Sequence, residues 1–171
     1  MKLSSTVVIN APAEKVWQVV AHDFAKIGEW ASGVEKSVIN VEAATPEGAT
    51  VGGRVCSVPG FGQIRETFTE YDEAGKTFTY EATGMPFFVT SAHNGWAVQA
   101  IDANTSRVSF NLEMNVLPLV GTLMAIPMKM QLTKLLDEAT EELKYYVEIG
   151  EIHPRKQALI AKSARRAPAA G

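Results

Sequence analysis

The stretch "INAPAEKVWQVVAHDFAKIGEW" constrains this chain more than any other. A β-rich run, "STVVI", ends at Ile9, and a helical pattern begins within three residues. Asn10 is a residue type that caps helices, and Pro12 suits a first helical turn, where a missing N–H leaves nothing unpaired. Trp17, Val20, Ala21 and Phe24 then recur at helical spacing, with Val16 and Val19 widening the stripe. Lys15, Gln18 and His22 fall on the opposite face, so His22 reads as solvated. A second short helix over residues 25–31 completes the pair.

From residue 33 to 116 the periodicity changes to strands separated by turn residues. "GVEKSVINVEA", "RVCSV", "QIRETFTEY", "TFTYEAT", "SAHNGWAVQAI" and "RVSFNLEMNV" follow one another at hairpin spacing. Six such strands form an antiparallel arrangement, to which the first strand adds a seventh. A long helix closes the pattern: Met124, Met128, Leu132, Leu135, Leu136, Ala139, Leu143 and Val147 trace one face, and Glu138, Glu141 and Glu142 lie off it. Pro127 starts or kinks this helix, and Gly150 stops it. The predicted fold is α+β: a helix-grip arrangement in which a seven-stranded antiparallel sheet wraps the long helix, with two short helices between strands one and two.

The chain has 171 residues, enough for one domain with a sizeable core. We read residues 1–150 as that domain and 151–171 as a basic tail. The tail has a net charge of about +4 within an overall charge of −3. That overall balance gives no general attraction to nucleic acid. A short basic end such as this is expected to be solvated, with Ala158, Leu159 and Ile160 able to form one or two helical turns. Removal of residues 155–171 is expected to leave stability almost unchanged. Cys56 is the single cysteine, so no intrachain disulfide and no cysteine metal cluster can form. No histidine pair has metal-ligand spacing, and no cofactor motif is present, so neither metal nor cofactor is expected. No run is apolar enough to span a membrane, and the N-terminus has no signal-peptide pattern. The expected compartment is the cytoplasm; a homodimer is left open.

Strand alternation assigns faces. Ile64, Glu66 and Phe68 share one face, as do Phe78, Tyr80 and Ala82. Trp96 and Val98, with Asn94 near a mouth, point the same way, as do Val108, Phe110, Leu112 and Met114. His93 alternates to the outside. A four-residue turn at 59–62 pairs Val55 with Glu66 and turns Val55 inward; a slip of one residue puts Arg54 and Cys56 there instead.

The arrangement resembles the START-like superfamily, which includes the birch-pollen-allergen fold, the polyketide cyclase/dehydrase family and the plant abscisic-acid receptors. The resemblance rests on "INAPAEKVWQVVAHDFAKIGEW", on "VGGRV" leading to "RETFTEYD", and on "TFTYEATGMP", and covers residues 2–149. It implies a cavity between the sheet and the long helix for an apolar or amphipathic small molecule. In the receptor subgroup a gate loop would correspond to residues 57–62 ("SVPGFG") and a latch to 84–87 ("GMPF"), which brings Phe61 and Met85 to the cavity mouth. The receptors' hormone-binding lysine is replaced here by Ala31, and their latch histidine and arginine by Met85 and Pro86. Abscisic acid is therefore not the expected ligand.

Trp30, Phe78, Trp96, Phe110, Met124 and Met128 are expected to converge on this cavity, together with Val55, Tyr80, Met114 and Leu132. Its expected volume is roughly 300–1,000 Å³, the usual range for small-molecule sites. Glu66 is the weak catalytic candidate. A carboxylate on an apolar face is costly unless paired, and unpaired it holds a proton more tightly. Arg54 and Tyr80 are its candidate partners. Three functional classes follow: a binding or carrier module, a polyketide cyclase/dehydratase using Glu66, Tyr80 or Arg54, and a protein-interaction adaptor. Several polar groups at cavity depth favour the enzyme, one isolated carboxylate the carrier, and a filled interior the adaptor.

Overall fold

The structure is a computed structural model describing residues 1–166, the side chains of 119–125 and 166 excepted. Seven antiparallel strands form one sheet: β1 (Lys2–Ile9), β2 (Lys36–Ile39), β3 (Gly53–Val58), β4 (Gly62–Asp72), β5 (Thr77–Thr83), β6 (Val89–Asp102) and β7 (Thr105–Val116). Their order across the sheet is β1-β7-β6-β5-β4-β3-β2. The first two strands thus occupy opposite edges. The segment between them crosses the full width of the sheet, which explains the abrupt passage from strand to helix.

That segment comprises α1 (Ala13–Trp17), a π-helical turn (Gln18–His22), a 3-10 turn (Phe24–Lys26) and α2 (Ile27–Trp30). The N-cap is Pro12, with no side-chain cap, rather than the expected Asn10. The Pro12 carbonyl accepts from Lys15 N and Val16 N at 3.0 and 3.3 Å, while the Asn10 N–H goes to Glu148 at 2.6 Å. The helical segment plugs one end of the concave face with aromatic residues. Phe24 packs on Phe68 with ring centres 4.4 Å apart, and Trp17 lies 5.6 Å from both Phe78 and Tyr71.

β2 is shorter than the predicted strand. The Asn40 side chain accepts the Glu42 N–H, a local bond that turns the chain out of the sheet. The inward sets on β4 to β7 are buried as expected, from Ile64 and Phe68 through Met114. Beyond a bulge between Phe68 and Glu70, Tyr71 takes the inward position.

α3 (Pro118–Ile149) lies across the sheet, and Pro127 sits inside it rather than at its start. Leu132, Leu136, Leu143 and Val147 are buried as the helical spacing predicts. Gly150, at φ 79°, ends the helix in the left-handed conformation glycine tolerates. A second C-terminal helix follows, α4 (Pro154–Arg166), longer than the one or two turns anticipated. No described helix is long and apolar enough to cross a membrane.

Candidate functional site

A cavity of about 130 Å³ lies between the concave face, α3 and the segment after α2. It is smaller than expected because large side chains occupy the space. Trp96 stacks on Phe110 at 4.3 Å, and Leu132 and Leu136 descend from α3. Comparable apolar cavities of ~150 Å³ accept one benzene-sized ring.

Eight of the predicted residues line it: Phe61, Glu66, Tyr80, Met85, Trp96, Phe110, Met114 and Leu132. Phe61 comes from the β3–β4 turn and Met85 from the β5–β6 connection, so both anticipated loops reach the wall. Gly84, at φ 81°, makes the second approach feasible: a Cβ there would sit 2.5 Å from the Gln63 carbonyl oxygen.

Other predicted residues lie elsewhere. Phe78 belongs to the packed end of the core, where Trp17, Phe24 and Phe68 cover it. Trp30 is buried behind the cavity, stacked on Tyr146 at 6.4 Å, and its neighbour Ala31 takes the lining position. Met128 packs against the core one turn before the lining residue Leu132. The Met124 side chain lies outside the described residues. Val55 sits on the outer face opposite Arg65, because the β3–β4 turn holds three residues between its paired ends rather than four. Positive φ at Gly60 and Gly62 permits that tighter turn. The one-residue slip brings Arg54 and Cys56 inward, opposite Glu66 and Ile64.

The slip determines the chemistry of the wall. The Arg54 Nε donates to Glu66 Oε2, and Arg54 Nη1 donates to the Phe24 carbonyl at 2.7 Å. The guanidinium lies 3.8 Å above the Phe24 ring. Burial alone would lower the Arg54 pKa; the Glu66 carboxylate is the largest influence against it, and the net direction is upward. Glu66 is therefore a paired carboxylate rather than an isolated one. Cys56 Sγ also approaches Glu66 Oε2, at 3.8 Å, and burial pushes its thiol pKa up, away from nucleophilic reactivity.

Tyr80 and Asn94 face each other across β5 and β6 and both line the cavity. Burial raises the Tyr80 pKa, with the Glu66 charge adding to it, so the phenol stays protonated. The Trp96 indole N–H lies near enough to influence that hydroxyl but outside hydrogen-bonding geometry, and it has no partner among the described residues. The wall thus offers the Arg54–Glu66 ion pair, a phenol and an amide within a mostly apolar enclosure.

Two other polar groups depart from the sequence reading. His22 is not free in solvent: Nε2 meets the Glu73 carboxylate at 3.0 Å, and Nδ1 meets Gln18 at 3.0 Å. Glu73 also accepts from Trp17 Nε1 and the Tyr71 hydroxyl, both at 2.8 Å. Glu142, assigned to the solvent face of α3, is buried; it accepts the Ser32 N–H and an Arg155 N–H, both at 2.7 Å. Among the described residues no group of three or more His, Cys, Asp or Glu side chains is placed to hold a metal ion.

The family model described as "Polyketide cyclase / dehydrase and lipid transport" matches residues 1–148. The chain belongs to that family. No curated protein matches this chain. Solved structures share its fold. A START superfamily protein from Mycobacterium smegmatis is 18% identical, with a TM-score of 0.58 over 83% of this chain and 98% of that one. Norcoclaurine synthase from Thalictrum flavum, in complex with dopamine and hydroxybenzaldehyde, is 16% identical, with a TM-score of 0.64 over 90% and 89%. The di-domain ARO/CYC BexL from the BE-7585A biosynthetic pathway is 15% identical, with a TM-score of 0.57 over 85% of this chain and 47% of that one.

Proposed function

We propose that this family member binds a small ligand with an apolar ring and a hydrogen-bonding substituent in the cavity between sheet and α3. The observation that carries the reading is the paired Glu66 carboxylate beside Tyr80 and Asn94 in an apolar wall. A ring displaces water from Trp96, Phe110 and Leu136, while a hydroxyl on it donates to Glu66. Ligand sites of this kind combine apolar lining with a few placed polar groups. The norcoclaurine synthase of the same fold holds two ring compounds, dopamine and hydroxybenzaldehyde.

The cyclase/dehydratase reading draws support from the same juxtaposition, since Tyr80 keeps its proton and Glu66 accepts one. Several polar groups at cavity depth favour the enzyme, but binding is the stronger reading because Glu66 is engaged by Arg54 and a cavity of about 130 Å³ leaves little room to fold a long chain.

Titration with phenol and with toluene tests this. The two probes are similar in size and differ in one donor. Phenol is expected to bind about tenfold more tightly, as a hydrogen bond to a charged group contributes roughly 1.5–3 kcal/mol. Tyr80→Phe should narrow that preference. Failure of both rings to bind, with no mass lost from the native protein on solvent extraction, overturns the proposal.

A further inference from the structure

The family match ends at residue 148, and α4 begins at Pro154. This helix is nevertheless tied to the cavity wall. Lys156 is buried, and its Nζ donates to the Val34 carbonyl at 2.5 Å. Arg155 reaches Glu142 at 2.7 Å, and Glu142 holds the Ser32 N–H. Ala31, Gly33 and Val34, on either side of Ser32, line the cavity. Two successive basic residues of α4 therefore fix one wall of the site. Burying a lysine carries a desolvation cost that a solvated tail never incurs.

In this position α4 creates a groove of about 610 Å³. Its floor is Leu132 and Leu135 of α3. Val58 and Phe61 of the β3–β4 turn form one side, and Ala158 and Leu159 of α4 the other. Phe61, Val58, Leu132, Leu135 and Gly33 line both groove and cavity, so the two spaces meet at the cavity mouth. The charges at the rim offset one another: Glu138 lies 3.6 Å from Arg155 and 3.8 Å from Lys134. What the groove offers an occupant is apolar surface.

We propose that this groove is a second subsite, built by α4, that holds the aliphatic chain of a ligand whose ring occupies the cavity. The ligand class is a ring-headed amphiphile of the alkylphenol type. The inference rests on the cavity reading above, and extends it to a molecule too long for the cavity. The cavity has room for about one ring, and an attached chain leaving past Phe61 enters the groove directly.

The test is a titration of the full chain with phenol, 4-butylphenol and 4-heptylphenol, followed through the Trp96 indole N–H resonance. A fully buried methylene contributes roughly fourfold in affinity, so 4-butylphenol is expected to bind at least tenfold more tightly than phenol. Leu159→Asp is expected to remove most of that gain and to leave phenol affinity within about twofold. Ala158→Trp fills the groove while keeping α4 apolar on that side, and is expected to do the same, which covers the case in which the aspartate releases the helix. A chain-length gain that persists unchanged in both variants overturns the subsite while leaving ring binding intact. Absence of phenol binding in the unmodified protein overturns the cavity reading and the subsite with it.

Discussion

Arg54 stands directly across the β3–β4 pair from Glu66, and its Nε donates to the Glu66 carboxylate at a depth where the arginine side chain is only 4% exposed. Removing one partner of such a pair leaves an uncompensated buried charge. Arg54→Met should destabilise by about 3–5 kcal/mol. Glu66→Met should also be less stable at neutral pH, because it deprives Arg54 of its counter-charge. The double variant Arg54→Met/Glu66→Met should recover much of the loss. Urea denaturation of the four proteins measures the coupling; additive losses would show that the pair contributes nothing as a pair.

Gly53 precedes Arg54 and sits opposite Thr67. A Cβ at this position would lie 2.2 Å from the Glu66 carbonyl oxygen. Gly53→Ala must push β3 away from β4 at the point where the ion pair forms. A loss of at least about 2 kcal/mol is expected from this backbone clash. Thermal unfolding checks it, and an unchanged Tm would mean that the strands separate there at little cost.

Removal of residues 155–171 takes Arg155 from Glu142, whose side chain is 1% exposed. The loss should be about 2 kcal/mol, or roughly 4–8 °C in Tm for a chain of this size. This reverses the expectation drawn from a basic, alanine-rich end. Arg155→Ala in the full chain should reproduce most of the change if Glu142 is the cause.

Glu73 sets an acid limit. Burial works against its charge, but donors from Trp17, Tyr71 and His22 outweigh it and hold its pKa at about 2, against an ordinary 4.5. A depressed carboxylate pKa adds stability that is present above about pH 4.5 and lost as the pH falls toward 2. Because the Glu73 side chain is 42% exposed, solvent screening reduces the benefit to about 1 kcal/mol. The unmodified protein should exceed Glu73→Gln in Tm at pH 6, with the difference shrinking steadily between pH 4.5 and 2.

The sheet, its inward faces and the long helix were legible because periods of two and 3.6 residues mark them directly. Ile64, Tyr80, Trp96 and Phe110 needed nothing more than alternation. The β3 register was not legible, since it depends on whether the 59–61 turn holds three or four residues, and a single residue exchanges Val55 for Arg54. Glu142 and His22 were misplaced for a related reason. Their partners, Arg155 and Glu73, are brought to them by tertiary packing that no local pattern encodes. Trp30 and Phe78 show a third limit: spacing identifies a buried aromatic residue but does not distinguish a cavity wall from solid core.

The placement of β1 and β2 at opposite edges also dictates an order of assembly. β3 to β7 are joined by short connections and can pair as they emerge. The Met1 amino group, by contrast, bonds the Met114 carbonyl across a separation of 113 residues. During synthesis at about 5–20 residues per second, β1 waits roughly 5–20 s for β7 to exist. Throughout that interval the aromatic residues of α1 and the following turns have no completed sheet to cover. The segment from β1 to α2 thus finds its place only once β7 exists, and its docking, the most non-local step in the sheet, should set the slow phase of folding.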